Sequence, residues 1–178
     1  MNIKSTTIIG IRRKGNIAIA GDGQVTFGEM SFKQKAIKVR HFLTENNKIL
    51  GGFAGAAADA LTLFEKFEQK LDQHEGDIKR SVVELAKDWR TDKVLRHLDA
   101  MLIVMDKKNS FIISGDGNVI EPDGEVVSIG SGGGYAQAAA IALLNSTKLT
   151  SKEIAKKSLE IAAGICIYTN DSITVLEA

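Results

Sequence analysis

The order of strand and helix signals along this chain predicts an α+β fold of four layers, αββα, in which two antiparallel sheets pack face to face and helix pairs cover their outer sides. Three observations lead there. Strand-like runs come in pairs at hairpin spacing, each group of hairpins is followed by two helical stretches, and the strict alternation of a parallel doubly wound sheet does not occur. A length of 178 residues allows one domain with a full core, and 44% hydrophobic with 25% charged residues is the balance of a globular protein, which sets disorder aside.

The elements follow in order. Thr7 to Arg12 and Asn16 to Ala20 are strand-like runs around Lys14-Gly15, a hairpin. Gly21-Asp22-Gly23 leads into a looser segment to about Phe32; Ala36 to Arg40 and Lys48 to Phe53 then form a second hairpin across Thr44-Glu45-Asn46-Asn47. From Ala56 the period changes: Ala60, Leu61, Phe64, Phe67 and Leu71 make one apolar stripe, which His74-Glu75-Gly76 ends. A second helix is expected from Asp77 to Leu95, with Val82, Val83, Leu85, Ala86 and Trp89 inward. Ala100 to Met105, Ser110 to Ser114 and Glu125 to Ile129 read as strands separated by Lys107-Lys108-Asn109, Gly115-Asp116-Gly117 and Pro122-Asp123-Gly124. Gly132-Gly133-Gly134 opens an Ala-rich helix to about Ser146. Thr150-Ser151-Lys152-Glu153 is a capping-box start for another, with Ile154, Ser158, Ile161, Ala162 and Ile165 inward, and a strand from Ile173 to Leu176 follows. The two Gly-Asp-Gly triplets suggest an internal repeat that their flanking residues do not support.

Several function classes lose ground on composition. Lys+Arg 23 against Asp+Glu 22 leaves a net charge of +1, which argues against a phosphate backbone as the main ligand. One cysteine and three scattered histidines give neither an internal disulfide nor a zinc cluster. The start MNIKSTTIIGIRRKG is unlike an export signal, and no apolar run has transmembrane length, so a cytoplasmic chain is expected. His41, His74 and His97 lie near no Gly-x-Ser-x-Gly elbow, and the apolar neighbours of Cys166 favour a packed thiol over a nucleophile. The loop Gly130-Ser131-Gly132-Gly133-Gly134 has the strand-to-helix context of a phosphate cradle. Tyr135-Ala136-Gln137 follows it where a Walker loop needs Lys-Ser/Thr, and a dinucleotide loop needs a small residue at Tyr135. A nucleotide-binding module on this loop remains the alternative reading.

Seven segments, taken together, carry a resemblance: Thr6-Thr7-Ile8, Ala20-Gly21-Asp22-Gly23-Gln24, Gly52-Phe53-Ala54-Gly55, Ala58-Asp59-Ala60, Glu84 to Arg90, Ile129 to Gly133 and Cys166-Ile167-Tyr168-Thr169-Asn170. In this order they resemble the HslV (ClpQ) family of bacterial proteasome-like peptidases, N-terminal nucleophile hydrolases with an αββα sandwich. The resemblance implies a threonine endopeptidase that degrades unfolded polypeptides inside a double hexameric ring, supplied by an HslU-type AAA+ ATPase. Carried over residue by residue, with Asp22 and Lys38 at the family's spacing from Thr6, the resemblance implies Thr6 as the nucleophile, Asp22 and Lys38 as its polar neighbours, Gly52 as an oxyanion-hole donor and Ser131 as a supporting hydroxyl. It also implies a monovalent cation, Na+, on the backbone carbonyls of Ala163, Cys166 and Thr169.

The chemistry behind these positions is intelligible. A threonine hydroxyl needs a base, and a free α-amine on the same residue titrates near pH ~8. A Lys38 ammonium would favour the neutral amine and a developing negative charge on the Thr6 oxygen, with Asp22 holding the ammonium in place. Glycine at 52 is expected to leave room for substrate while its N–H meets the oxyanion. Met1 to Ser5 precede Thr6, so residues 1–5 are expected to be a propeptide and 6–178 the peptidase domain; an unprocessed chain would be an inactive ring subunit. Neither Lys4-Ser5 nor Lys157-Ser158 follows a Gly-x-x-x-x-Gly, so no ATP site is expected in this chain.

Overall fold

A computed structural model describes residues 6–44, 48–93, 95, 98 and 100–178. The expected propeptide (1–5), the turn residues Glu45 to Asn47 and His97 lie outside the described residues. The first sheet has the order β10-β1-β2-β11, built from β1 (Thr7–Arg13), β2 (Asn16–Gly21), β10 (Val126–Gly130) and β11 (Thr174–Glu177). The second runs β5-β6-β7-β8-β9, from β5 (Val39–Leu43), β6 (Lys48–Gly55), β7 (Ala100–Met105), β8 (Ser110–Ser114) and β9 (Val119–Ile120). All pairings are antiparallel.

Strand alternation assigns each side chain to a layer. In β1 and β2, Ile8, Ile17 and Ile19 point between the sheets, where they meet Leu50, Ala54, Ile103 and Val127. Ile9, Ile11, Ala18 and Ala20 point outward against α3 (Gly133–Ser146) and α4 (Ser151–Ala163). The opposite outer face buries Ile49, Phe53, Leu102, Val104 and Ile113 under α1 (Ala57–Gln73) and α2 (Ile78–Thr91). There Phe42 meets Phe64 and Phe67 edge-on, with ring centroids 5.5 and 5.1 Å apart. Strands buried on both faces explain why so many of them read as continuous apolar runs.

Local chemistry sets the ends. Lys14 and Gly15 take φ of 51° and 78°, the left-handed pair that a two-residue hairpin turn requires. Thr150 and Glu153 form the reciprocal capping box. Helix α2 stops at Thr91, short of the expected Leu95, because Asp92 takes an extended conformation and its carboxylate accepts the Leu95 N–H. The segment expected to be loose holds a two-stranded ribbon, β3 (Val25–Phe27) with β4 (Met30–Lys33), turning at Gly28 (φ 60°). Leu61, Val83, Ile161 and Ile165, expected inward, are exposed; the buried stripes run instead through Leu63 and Phe64, Val82 and Leu85, and Ile154, Ala155 and Leu159. Among the described residues no helix is long and apolar enough to cross a membrane.

Candidate active site

The start of β1, the end of β2, the start of β5, the end of β6 and the end of β10 come to one end of the sandwich. Thr6 lies just before β1 and is 2% exposed. Its carbonyl accepts the Ser131 N–H at 3.0 Å. Gly130 makes this approach possible: at φ 91°, a Cβ there would fall 1.9 Å from the Thr6 carbonyl oxygen.

Asp22 follows β2 and is fully buried. Its Oδ1 accepts the Thr7 N–H at 2.8 Å and the Lys38 ammonium at 3.1 Å, and its Oδ2 accepts the N–H groups of Gln24 and Asn170 at 2.9 and 3.4 Å. Lys38 donates also to the Gln24 carbonyl at 2.5 Å. Burial pulls the Lys38 pKa below its ordinary value; the charge and hydrogen bond of Asp22 oppose that pull. A lysine so placed is a cation held in the interior, next to the residue that begins the sheet.

Thr6 and Lys38 line one cavity of about 320 Å³ together with Val25, Ala36, Phe53 and Phe64. Its walls are mostly apolar, and the exposed Ile37 and Leu61 also line it. Gly55, at the end of β6, belongs to the same lining.

Gly52 does not. A Cβ on Gly52 would come within 2.6 Å of Ile8 Cγ2 and 2.9 Å of Ile19 Cδ1, so the missing side chain accommodates the intersheet core, and not a substrate as expected. Register also turns its N–H away. Phe53 donates to the Lys38 carbonyl at 3.1 Å, so odd residues of β6 address β5 and Gly52 addresses Ile103 of β7. The same parity sends the Gly55 N–H past the start of β5, on the side where the cavity lies.

Ser131 reaches Thr6 through its backbone, while the residue itself is exposed and lines a separate surface hollow with Tyr135 and Cys166. At the end of α4, Ile165 and Cys166 donate to the Ala162 carbonyl, and Thr169 donates to that of Cys166 at 3.0 Å. Among the described residues no group of three or more His, Cys, Asp or Glu side chains could hold a metal ion. Ala163 is the last residue of α4, Cys166 and Thr169 lie in the segment after it, and the Cys166 carbonyl that accepts the Thr169 N–H keeps a second lone pair.

The sequence pattern of proteasome subunits matches residues 3–178. The chain belongs to the proteasome subunit family. Among its relatives, the ATP-dependent protease subunit HslV of Caldicellulosiruptor saccharolyticus is 58% identical, over 97% of this chain and 98% of the relative. The HslV subunit of Thermoanaerobacter pseudethanolicus is 56% identical, over 97% of each chain. The crystal structure of HslV from Trypanosoma brucei superposes with a TM-score of 0.89 at 40% identity, covering 96% of this chain and 98% of that one. This proteasome-family fold thus carries the αββα sandwich expected from the sequence, an N-terminal nucleophile hydrolase architecture.

Two parts of the site escape a reading of the sequence. Gly55 could be separated from Gly52 only by knowing the parity of β6. The hydroxyl of Thr7, fully buried, pairs with that of Thr169 at 2.7 Å across 162 residues of chain, a contact without a local signal.

Proposed function

We propose that this chain is the threonine peptidase subunit of an ATP-dependent protease, with Thr6 as the nucleophile once residues 1–5 are removed. The observation that carries the reading is that buried Thr6 lines an apolar cavity together with Lys38, itself paired to buried Asp22. The Thr6 hydroxyl adds to the scissile carbonyl and its proton passes to the free α-amine of Thr6. The Lys38 ammonium favours the neutral amine and the forming alkoxide. Asp22 fixes both Lys38 and Thr7. The oxyanion meets the N–H of Gly55, which takes the role the sequence suggested for Gly52. Collapse of the adduct expels the amine fragment with the proton, leaving an acyl ester on Thr6 that water hydrolyses. The cavity accepts an apolar side chain of the substrate, and Ser131 supports the loop that grips the Thr6 carbonyl.

Such a nucleophile needs seclusion. Met30, Phe32, Leu43 and Ile167 are 65 to 78% exposed, and contacts between identical subunits in a double hexameric ring would cover such side chains. The relatives' name, ATP-dependent protease subunit, supports a partner ATPase of the HslU type that unfolds and threads substrates, in the cytoplasm. The carbonyls of Ala163, Cys166 and Thr169 would hold a Na+ ion, whose charge would order that turn. Release of acid-soluble fragments from a stably folded protein tests the whole reading. Degradation is expected only when the ATPase and ATP are both added, while short peptides are cleaved slowly without them; rapid degradation by this chain alone would contradict it.

A further inference from the structure

We infer that the Thr7 hydroxyl is a positioning group for the nucleophile, acting as a buried clamp that joins β1 to two loops. The inference rests on the reading of Thr6 as nucleophile. Thr7 is fully buried, and every polar atom it carries is engaged. Its N–H donates to Asp22 Oδ1 at 2.8 Å and its carbonyl accepts the Asp22 N–H at 3.2 Å. Its Oγ1 accepts the Gly132 N–H at 2.9 Å and pairs with Thr169 Oγ1 at 2.7 Å.

The backbone bonds are what any residue could make at the start of β1. The hydroxyl is different. It ties the residue after Thr6 to the loop whose Ser131 N–H holds the Thr6 carbonyl, and to the turn beyond α4 that contains Thr169. Gly132 is shaped around this contact: a Cβ there would lie 2.5 Å from Thr7 Oγ1 and 2.6 Å from Thr169 Oγ1. Three segments distant in sequence therefore converge on one oxygen, three bonds from the peptide nitrogen that joins Thr7 to Thr6. A displacement of about 1 Å in a reacting group can cost about 100-fold in rate, so a clamp of this kind acts on turnover more than on substrate affinity.

The test uses the processed protein and Thr7→Val, which keeps the shape and removes the hydroxyl. A peptide epoxyketone that reacts with the nucleophile titrates functional sites, so kcat is expressed per reactive site. We expect kcat to fall about 10- to 100-fold with KM within about twofold, and Thr7→Ser to restore most of the loss. Thr169→Val, which breaks the same contact from the other side, should act in the same direction, and the double variant should lose less than the product of the two; it also serves if Thr7→Val does not fold. Unchanged kcat per site with only a lower melting temperature, or Thr7→Ser as impaired as Thr7→Val, would overturn the inference. Failure of the underlying reading looks different: Thr6→Ala would then retain peptidase activity.

Discussion

Replacing Asp22 by Asn removes one charge from a pair whose side chains are 2% and 0% exposed, and leaves the Lys38 ammonium without its counter-ion. The geometry gives the amide no good orientation. With its oxygen toward Thr7 and Lys38, its NH2 group faces the N–H groups of Gln24 and Asn170; turned over, it faces Thr7 N–H and the ammonium. Breaking a buried pair on one side costs about 3–5 kcal/mol. At about 2–4 °C per kcal/mol for a chain of this size, the melting temperature should fall by about 6–20 °C. Lys38→Met exposes the opposite imbalance, and the double variant leaves no unpaired charge. Its loss should be smaller than the sum by about 1–3 kcal/mol. Urea and thermal unfolding of the four proteins, at matched protein concentration because assembly contributes to apparent stability, measures all of these. A melting temperature for Asp22→Asn within about 2 °C of the parent, or strict additivity in the cycle, would refute the account of the pair.

The lowered pKa of Lys38 has a sign that can be checked. Between that pKa and the ordinary value of 10.5 the unfolded chain binds more protons than the folded one, so the cost of burying the ammonium, fully present at lower pH, is relieved as pH rises. The stability of the parent relative to Lys38→Met should therefore increase toward pH 10.5 in urea melts, and a flat difference would contradict it. Gly52→Ala should cost about 1–3 kcal/mol by crowding Ile8 and Ile19, read as a lower urea midpoint, and leave more peptidase activity than Gly130→Ala, which presses a methyl on the Thr6 carbonyl. Equal losses of kcat/KM in the two variants would remove the distinction drawn between these glycines.

What could be read from the sequence was what is encoded locally or by motif. The hairpin at Lys14-Gly15, the capping box at Thr150 and the breadth of the apolar runs each express a short-range rule, and together they predict two sheets with helix pairs outside. Thr6 and Asp22 stand in motifs and Lys38 at a set spacing from Thr6, and the structure brings the three to one end of the sandwich. The ribbon from Val25 to Lys33 was invisible because Met30 to Lys33 are all exposed and show no alternation of burial. Leu61 and Val83 sit one position from the buried stripes, a rotation of about 100° that periodicity alone resolves poorly. The difference between Gly52 and Gly55 is one of strand parity, fixed by pairing with β5, and the Thr7–Thr169 contact depends on the closing of the whole first sheet.

The mechanism proposed above places the chemistry on Thr6 at a free N-terminus. Its most direct test is mass spectrometry of the protein purified from its own cell and inactivated with a peptide epoxyketone, followed by mapping of the adduct. The account predicts a chain that begins at Thr6 and carries the inhibitor on that residue. An adduct on Cys166, or on a chain that retains Met1 to Ser5 and still hydrolyses peptides, would contradict it.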